Sequence, residues 1–213
     1  MSVGNAIKKV RAVRYPQWTQ DAERLLLYLD IMGFSARVLS KKHNEVKEDL
    51  LQFKNAWERR MKPLLKGDYL KFVQFSDSIL VVANGVDYKM FNLITKAAVC
   101  IMQEAFEHNI PLKGVLAKGE FTYDTENQFY YGRPLVEAYQ LHDQIYFYGI
   151  VVHHSAEKIV KQYADESNPY GKSQVNIKSG KTSHYHLMWY LLNKGLTGAN
   201  MEDFCGRWLN ELE

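Results

Sequence analysis

The hydrophobic pattern changes period several times along the 213-residue chain, and each change marks an element. Residues 24–31 are apolar almost throughout, as in a central strand covered on both faces. From Ser35 to about Leu65 the spacing becomes helical: Val38, Leu39, Val46, Leu50, Leu51 and Phe53 recur on one side with Lys and Glu between them. This predicts one long amphipathic helix, broken at Gly67-Asp68. Tyr69–Phe75 and Ile79–Ala83 are rich in aromatic and β-branched residues around Ser76-Asp77-Ser78, a hairpin signature. A second helix is predicted over Tyr88–His108, with Phe91, Ile94, Ala98, Ile101, Met102 and Phe106 as its stripe. After Pro111, "LKGVLAKGEFTY" reads as a strand whose Gly114 and Gly119 mark close backbone approaches. A short strand, Phe129–Tyr131, leads through Gly132-Arg133-Pro134 into a helix ending near Asp143, and "YFYGIVVH" supplies one more strand.

The order β, α, β-β, α, β, β, α, β over the first 153 residues mixes helices and strands without strict alternation. It predicts an α+β sandwich with a mainly antiparallel sheet, of the kind built on ferredoxin-like βαββαβ units. Beyond Ser155 the pattern weakens. Ala156–Ala164 reads as a helix, Asp165–Thr182 as a polar loop, His186–Leu192 as strand or helix, and Met201–Leu212 as a short terminal helix. The simplest division is an N-terminal arm over 1–23, a main domain over 24–153, and a C-terminal extension over 154–213 packed on the same domain.

Composition narrows the class. Hydrophobic residues are 46% and charged residues 24%, ordinary for a globular protein, and a net charge of +3 is too small to suggest nucleic acid as a partner. The basic residues Lys8, Lys9, Arg11 and Arg14 read as a solvated arm. Cys100 and Cys205 lie in apolar helical patterns without CxxC spacing, which argues against a zinc site or a disulfide framework and suits a reducing cytosol. No apolar run reaches membrane-spanning length, and the first twenty residues lack a signal peptide. A cytoplasmic protein without membrane partners is expected.

One acid breaks the first strand. Asp30 ends an apolar run, where an ionised group is costly unless paired or metal-bound, and Asp77 sits at the tip of the next hairpin. A strand end and a neighbouring hairpin turn can lie side by side in an antiparallel sheet. Two carboxylates there repel each other unless a proton or cation sits between them. Oxygen ligands without local His or Cys favour Mg²⁺ or Mn²⁺. Gly33 then opens a helix whose backbone amides suit a triphosphate. Taken singly, Asp77 fits ordinary turn chemistry and Asp30 fits a helix cap.

The pair has a family pattern. Tyr28-Leu29-Asp30-Ile31-Met32-Gly33-Phe34-Ser35 resembles the F-x-D-I-x-G-F-[ST] strand of class III nucleotide cyclases, with Tyr for Phe. Phe75-Ser76-Asp77-Ser78, 47 residues on from Asp30 to Asp77, stands where those enzymes have a second metal acid. "KGVLAKGEF" and "YYGRPLVEAYQL" occupy the place of a strand and a G-x-x-V-N-x-A-x-R helix. The resemblance runs over residues 24–153 and departs at four positions. Val73 and Phe129 replace the polar pair that reads purines, and Val136 and Gln140 replace the helix Asn and Arg.

With these departures the chain is most similar to the pyrimidine cyclases of bacterial Pycsar anti-phage systems. The resemblance implies a nucleotide cyclase catalytic domain in a homodimer with active sites at the interface. It implies conversion of UTP or CTP to the 3′,5′-cyclic monophosphate, which acts on a separate effector protein. UTP is the expected substrate, with CTP, a purine nucleotide, or an inactive nucleotide-binding module as alternatives. Asp30 and Asp77 would bridge two Mn²⁺ or Mg²⁺ ions with help from the Ile31 carbonyl, and the amides of Met32, Gly33, Phe34 and Ser35 would hold the phosphates. Lys118 and Arg133 are the candidate transition-state cations, with Lys113 a third; all three also suit a solvated surface. Tyr130, Tyr131 and Tyr139 could stack on a base or pack in the core.

Overall fold

A computed structural model describes residues 17–62, 67–166 and 168–192. The elements are β1 (Asp21–Ile31), α1 (Phe34–Ser40), α2 (His43–Met61), β2 (Leu70–Phe75), β3 (Ser78–Ala83), α3 (Tyr88–Glu107), β4 (Leu112–Asp124), β5 (Phe129–Gly132), α4 (Arg133–Gln144), β6 (Gly149–Val152), α5 (His154–Tyr163), β7 (Tyr170–Ile177) and β8 (Gly180–Leu187). A 3₁₀ turn, Trp189–Leu192, follows.

All eight strands form one sheet in the order β2-β3-β1-β4-β6-β8-β7, with β5 paired to β4. Only β4 and β6 run parallel; the other pairs are antiparallel. The expected α+β architecture with a mainly antiparallel sheet is therefore present. β1 lies between β3 and β4 and is buried from Arg24 to Leu29. Its odd-numbered residues Leu25, Leu27, Leu29 and Ile31 join the larger core, with Phe53 and Trp57 of α2 and the apolar stripe of α3. Its even-numbered residues Leu26 and Tyr28 face the other side, with Val115, Ala117 and Ala138 of α4. This alternation of a strand covered on both faces decides which way Asp30 points.

Gly114 shows why the β1–β4 contact is close: a Cβ there would lie 2.5 Å from Leu29 Cδ2 and 2.6 Å from the Tyr28 carbonyl oxygen. Burial pushes the Cys100 thiol up to about 12, so it acts as a packing group in α3.

Three expectations need correction. The long helix over 35–65 is two helices, because Lys42 is extended (φ −66°, ψ 143°) and breaks the ladder. The apolar stripe overstated its burial: α1 buries no residue, and Leu39 is 88% exposed. Ion pairs from Lys41 and Arg37 to Asp49 tie the two helices instead. The loop expected over Asp165–Thr182 contains β7 and the start of β8, paired from Tyr170↔Leu187 to Ile177↔Gly180. β7 is an edge strand with Val175 as its buried residue, so it carries little apolar alternation to read. The helix expected over Met201–Leu212 and most of the N-terminal arm lie outside the described residues.

Candidate active site

The register places Asp30 opposite Ser78 on β3 and opposite Lys113 on β4. Following Leu26 and Tyr28, its side chain emerges on the α4 face at the end of the strand. Asp77 immediately precedes Ser78, and its carbonyl accepts the Ile31 amide at 3.2 Å. The positive φ of Ser76 (54°) turns the hairpin so that Asp77 comes back over the end of β1. The backbone of the Asp77 hairpin thus lies against the strand end that carries Asp30.

The Asp30 carboxylate is part of a short relay. Ser78 Oγ donates to Asp30 Oδ1 at 2.9 Å, and the Tyr28 hydroxyl lies 3.0 Å from Ser78 Oγ. Burial raises the Asp30 pKa above the usual carboxylate value, and the nearby Asp77 charge raises it further; Ser78 and Lys113 act the other way. Tyr28 is raised as well, first by burial.

His142, in the last turn of α4, completes the surroundings and was not singled out from sequence. Its Nε2 lies 3.5 Å from Asp30 Oδ2, and its ring meets the Tyr28 ring edge-on at 5.2 Å. Burial, then the Lys113 charge, lowers its pKa to about 4, so the imidazole is neutral at pH 7. Neither ring nitrogen has a hydrogen-bond partner among the described residues. Lys113 donates to the His142 carbonyl at 3.0 Å and to the Ile145 carbonyl at 3.3 Å, satisfying the negative end of the α4 dipole. Lys113, the third candidate cation, is therefore the one that shares the Asp30 neighbourhood, with its charge directed at α4. The Asp30 carboxylate, with the Asp77 hairpin beside it, offers the oxygen donors that suit Mn²⁺ or Mg²⁺, and His142 stands against Asp30 without forming a compact three-residue ligand cluster with the two acids.

The glycine turn is present: Gly33 is left-handed (φ 69°) and its carbonyl accepts the Arg37 amide, opening α1. One expected phosphate donor is already engaged, since the Met32 amide donates to the Pro111 carbonyl at 2.9 Å. Gly33, Phe34 and Ser35 remain as the amides of the first turn.

Lys118 and Arg133 do not join the acids of their own chain. Lys118 pairs with Leu25, five positions along β4 from Lys113, roughly 17 Å at strand rise. It lies on the opposite face, ion-paired to Glu23, with its amide donating to Ser155 Oγ. Arg133 opens α4, nine residues before His142 and about 14 Å away along the helix. It pairs with Glu137 in the next turn. Tyr130 packs on Tyr123 at 4.9 Å, whereas Tyr131 and Tyr139 are exposed. The sequence distance between these cations and Asp30 gave no sign of the sheet face on which each would fall.

No protein-family model and no curated protein matches the sequence. Solved structures do match the fold. The adenylyl cyclase CyaB from P. aeruginosa superposes with a TM-score of 0.60 at 13% identity, over 80% of this chain and 96% of that one. The guanylate cyclase domain of RhGC from Catenaria anguillulae, in complex with GTP, gives 0.61 at 13%, over 80% and 98%. The non-canonical dimeric guanylyl cyclase domain of the RhoGC fusion protein from Blastocladiella emersonii gives 0.61 at 14%, over 80% and 98%. With its mainly antiparallel eight-stranded sheet and these matches, the chain has the class III nucleotide cyclase fold.

Proposed function

We propose that the chain is a homodimeric pyrimidine nucleotide cyclase converting UTP to 3′,5′-cyclic UMP and pyrophosphate. The observation that carries this reading is the meeting of Asp30 with the Asp77 hairpin, on a cyclase fold, beside a glycine turn that opens a helix. Asp30 and Asp77 would hold two Mn²⁺ or Mg²⁺ ions, with the Ile31 carbonyl alongside. When bound, the ions supply acidification of the attacking 3′-hydroxyl and offset charge on the triphosphate.

The chain's own residues do the positioning. Ser78 and Tyr28 fix the Asp30 carboxylate, and His142 presents a neutral nitrogen to its second oxygen. The amides of Gly33, Phe34 and Ser35 bind β- and γ-phosphate oxygens. Lys118 and Arg133 serve the transition state from the partner subunit, since within one chain they stand apart from the acids. Phe129, Tyr131, Val136 and Tyr139 are exposed on β5 and α4, an apolar surface that suits burial against a second copy. The motif resemblance supports pyrimidine specificity and a product that signals to a separate effector in anti-phage defence.

A second reading, a catalytically inactive nucleotide-binding module, is favoured by Val136 and Gln140 in place of the helix Asn and Arg. One experiment separates the readings: incubation with each NTP and Mn²⁺, with products identified by mass spectrometry. Cyclic UMP is expected. Cyclic CMP would reassign the base, a cyclic purine nucleotide would overturn pyrimidine specificity, and nucleotide binding without pyrophosphate release would establish the module.

A further inference from the structure

The structure assigns a second metal site to Glu137, His153 and His154, separate from the acids and suited to a borderline-soft divalent ion such as Zn²⁺. The cysteine pattern argues only against a thiolate site. Glu137 lies one turn into α4, His153 follows β6 as the N-cap of α5, and His154 is the first residue of that helix. One donor atom from each residue lies within 4.8 Å of the other two. His153 Nδ1 and Glu137 Oε2 are 3.5 Å apart, close to the edge of about 3.4 Å in a tetrahedron built with zinc bond lengths.

The ligands are already oriented. Glu137 Oε1 accepts from Arg133 Nε at 2.6 Å, which leaves Oε2 facing His153. The His153 ring is buried and lies against the His154 ring with centroids 3.9 Å apart. Its Nδ1 is 2.9 Å from Ser155 Oγ, and that oxygen accepts the Lys118 amide. That nitrogen also accepts the Ser155 amide at 3.4 Å as the N-cap of α5, so ligation through Nδ1 exchanges this long capping bond and the hydroxyl contact for the metal. The positive end of α5 opposes a cation, and the Glu137 carboxylate opposes that field. Two imidazoles and one carboxylate select zinc-like ions over Mg²⁺. Exposed His154 and half-buried Glu137 line a recess of about 280 Å³ that also holds Lys118, Glu120 and Arg133, giving an entry path and room for a fourth ligand.

The test is a Co²⁺ titration of the full chain, read by visible absorption, in excess Mg²⁺ and in parallel on the D30A/D77A variant. One Co²⁺ per chain is expected, displaced by Zn²⁺ and retained without the two acids. H154A changes an exposed residue, and E137Q keeps an acceptor for Arg133, so both should fold, which circular dichroism melting checks. Each should weaken binding at least tenfold. Absence of the bands, or unchanged affinity in either variant, overturns the site, and the readout is the Co²⁺ spectrum, taken without nucleotide, so it is separate from any test of cyclisation.

Discussion

His142 Nε2 stands 3.5 Å from Asp30 Oδ2, although the two residues lie on different elements and more than a hundred positions apart. The buried imidazole is neutral and without a hydrogen-bond partner among the described residues. Such a group is costly in a folded core unless it meets a ligand. In the proposed site that ligand would be a cation held by Asp30, or the water on it.

His142→Ala should therefore weaken metal use more than folding. The Mn²⁺ concentration for half-maximal turnover should rise about 10- to 100-fold, as for other supporting groups of a metal site. A metal titration of the cyclase rate checks this. An unchanged metal dependence would make His142 a packing residue only.

Asp30→Asn and Asp77→Asn should each lower cyclisation more than 100-fold, on the order of the loss when an electrostatic catalytic group is removed. In wild type, Mn²⁺ should raise Tm, because it binds the folded state alone. That shift should vanish in both variants. Without metal, D30N should be at least as stable as wild type, since it removes a part-buried charge beside Asp77. Calorimetry with and without Mn²⁺ reads the three stability outcomes, and pyrophosphate release reads the loss of cyclisation.

Gly114→Ala tests the frame under the acids. The added Cβ would fall 2.5 Å from Leu29 Cδ2 and 2.6 Å from a backbone oxygen of the strand that carries Asp30. The oxygen belongs to the β1 backbone and cannot move alone, so a loss of about 1–3 kcal/mol is expected. Gly119→Ala meets Pro134 Cδ at 3.1 Å and should cost less. Urea denaturation of the two variants gives the order.

The legible parts of the chain were those where burial leaves a periodic mark. β1, the hairpin, α3 and β4 are apolar on the faces they bury, and the two acids stand out because they interrupt that pattern. β7 left no such mark, being a polar edge strand held by its ladder with β8. Val38 and Leu39 misled because helical spacing alone cannot show whether anything packs on the stripe. His142 and the Glu137–His153–His154 group were hidden for another reason. Their chemistry depends on α4 crossing one face of the sheet, a contact without local sequence spacing.

His186, which is not itself a ligand in either proposed site, yields a pH prediction. It is buried in β8, with its ring edge-on to Phe147 and Nδ1 3.3 Å from Ser173 Oγ. Burial holds its pKa below the usual 6.5, outweighing a hydrogen bond from its ring to the His184 backbone that acts upward. Near pH 6.5 the unfolded chain therefore binds more protons at this residue than the folded chain. Its contribution is fully present above pH 6.5 and is lost as pH falls through the lowered folded value. Tm should drop between pH 7 and pH 5, and His186→Gln, which cannot charge, should lose less over that interval than wild type. Equal losses in the two proteins would place the acid sensitivity elsewhere.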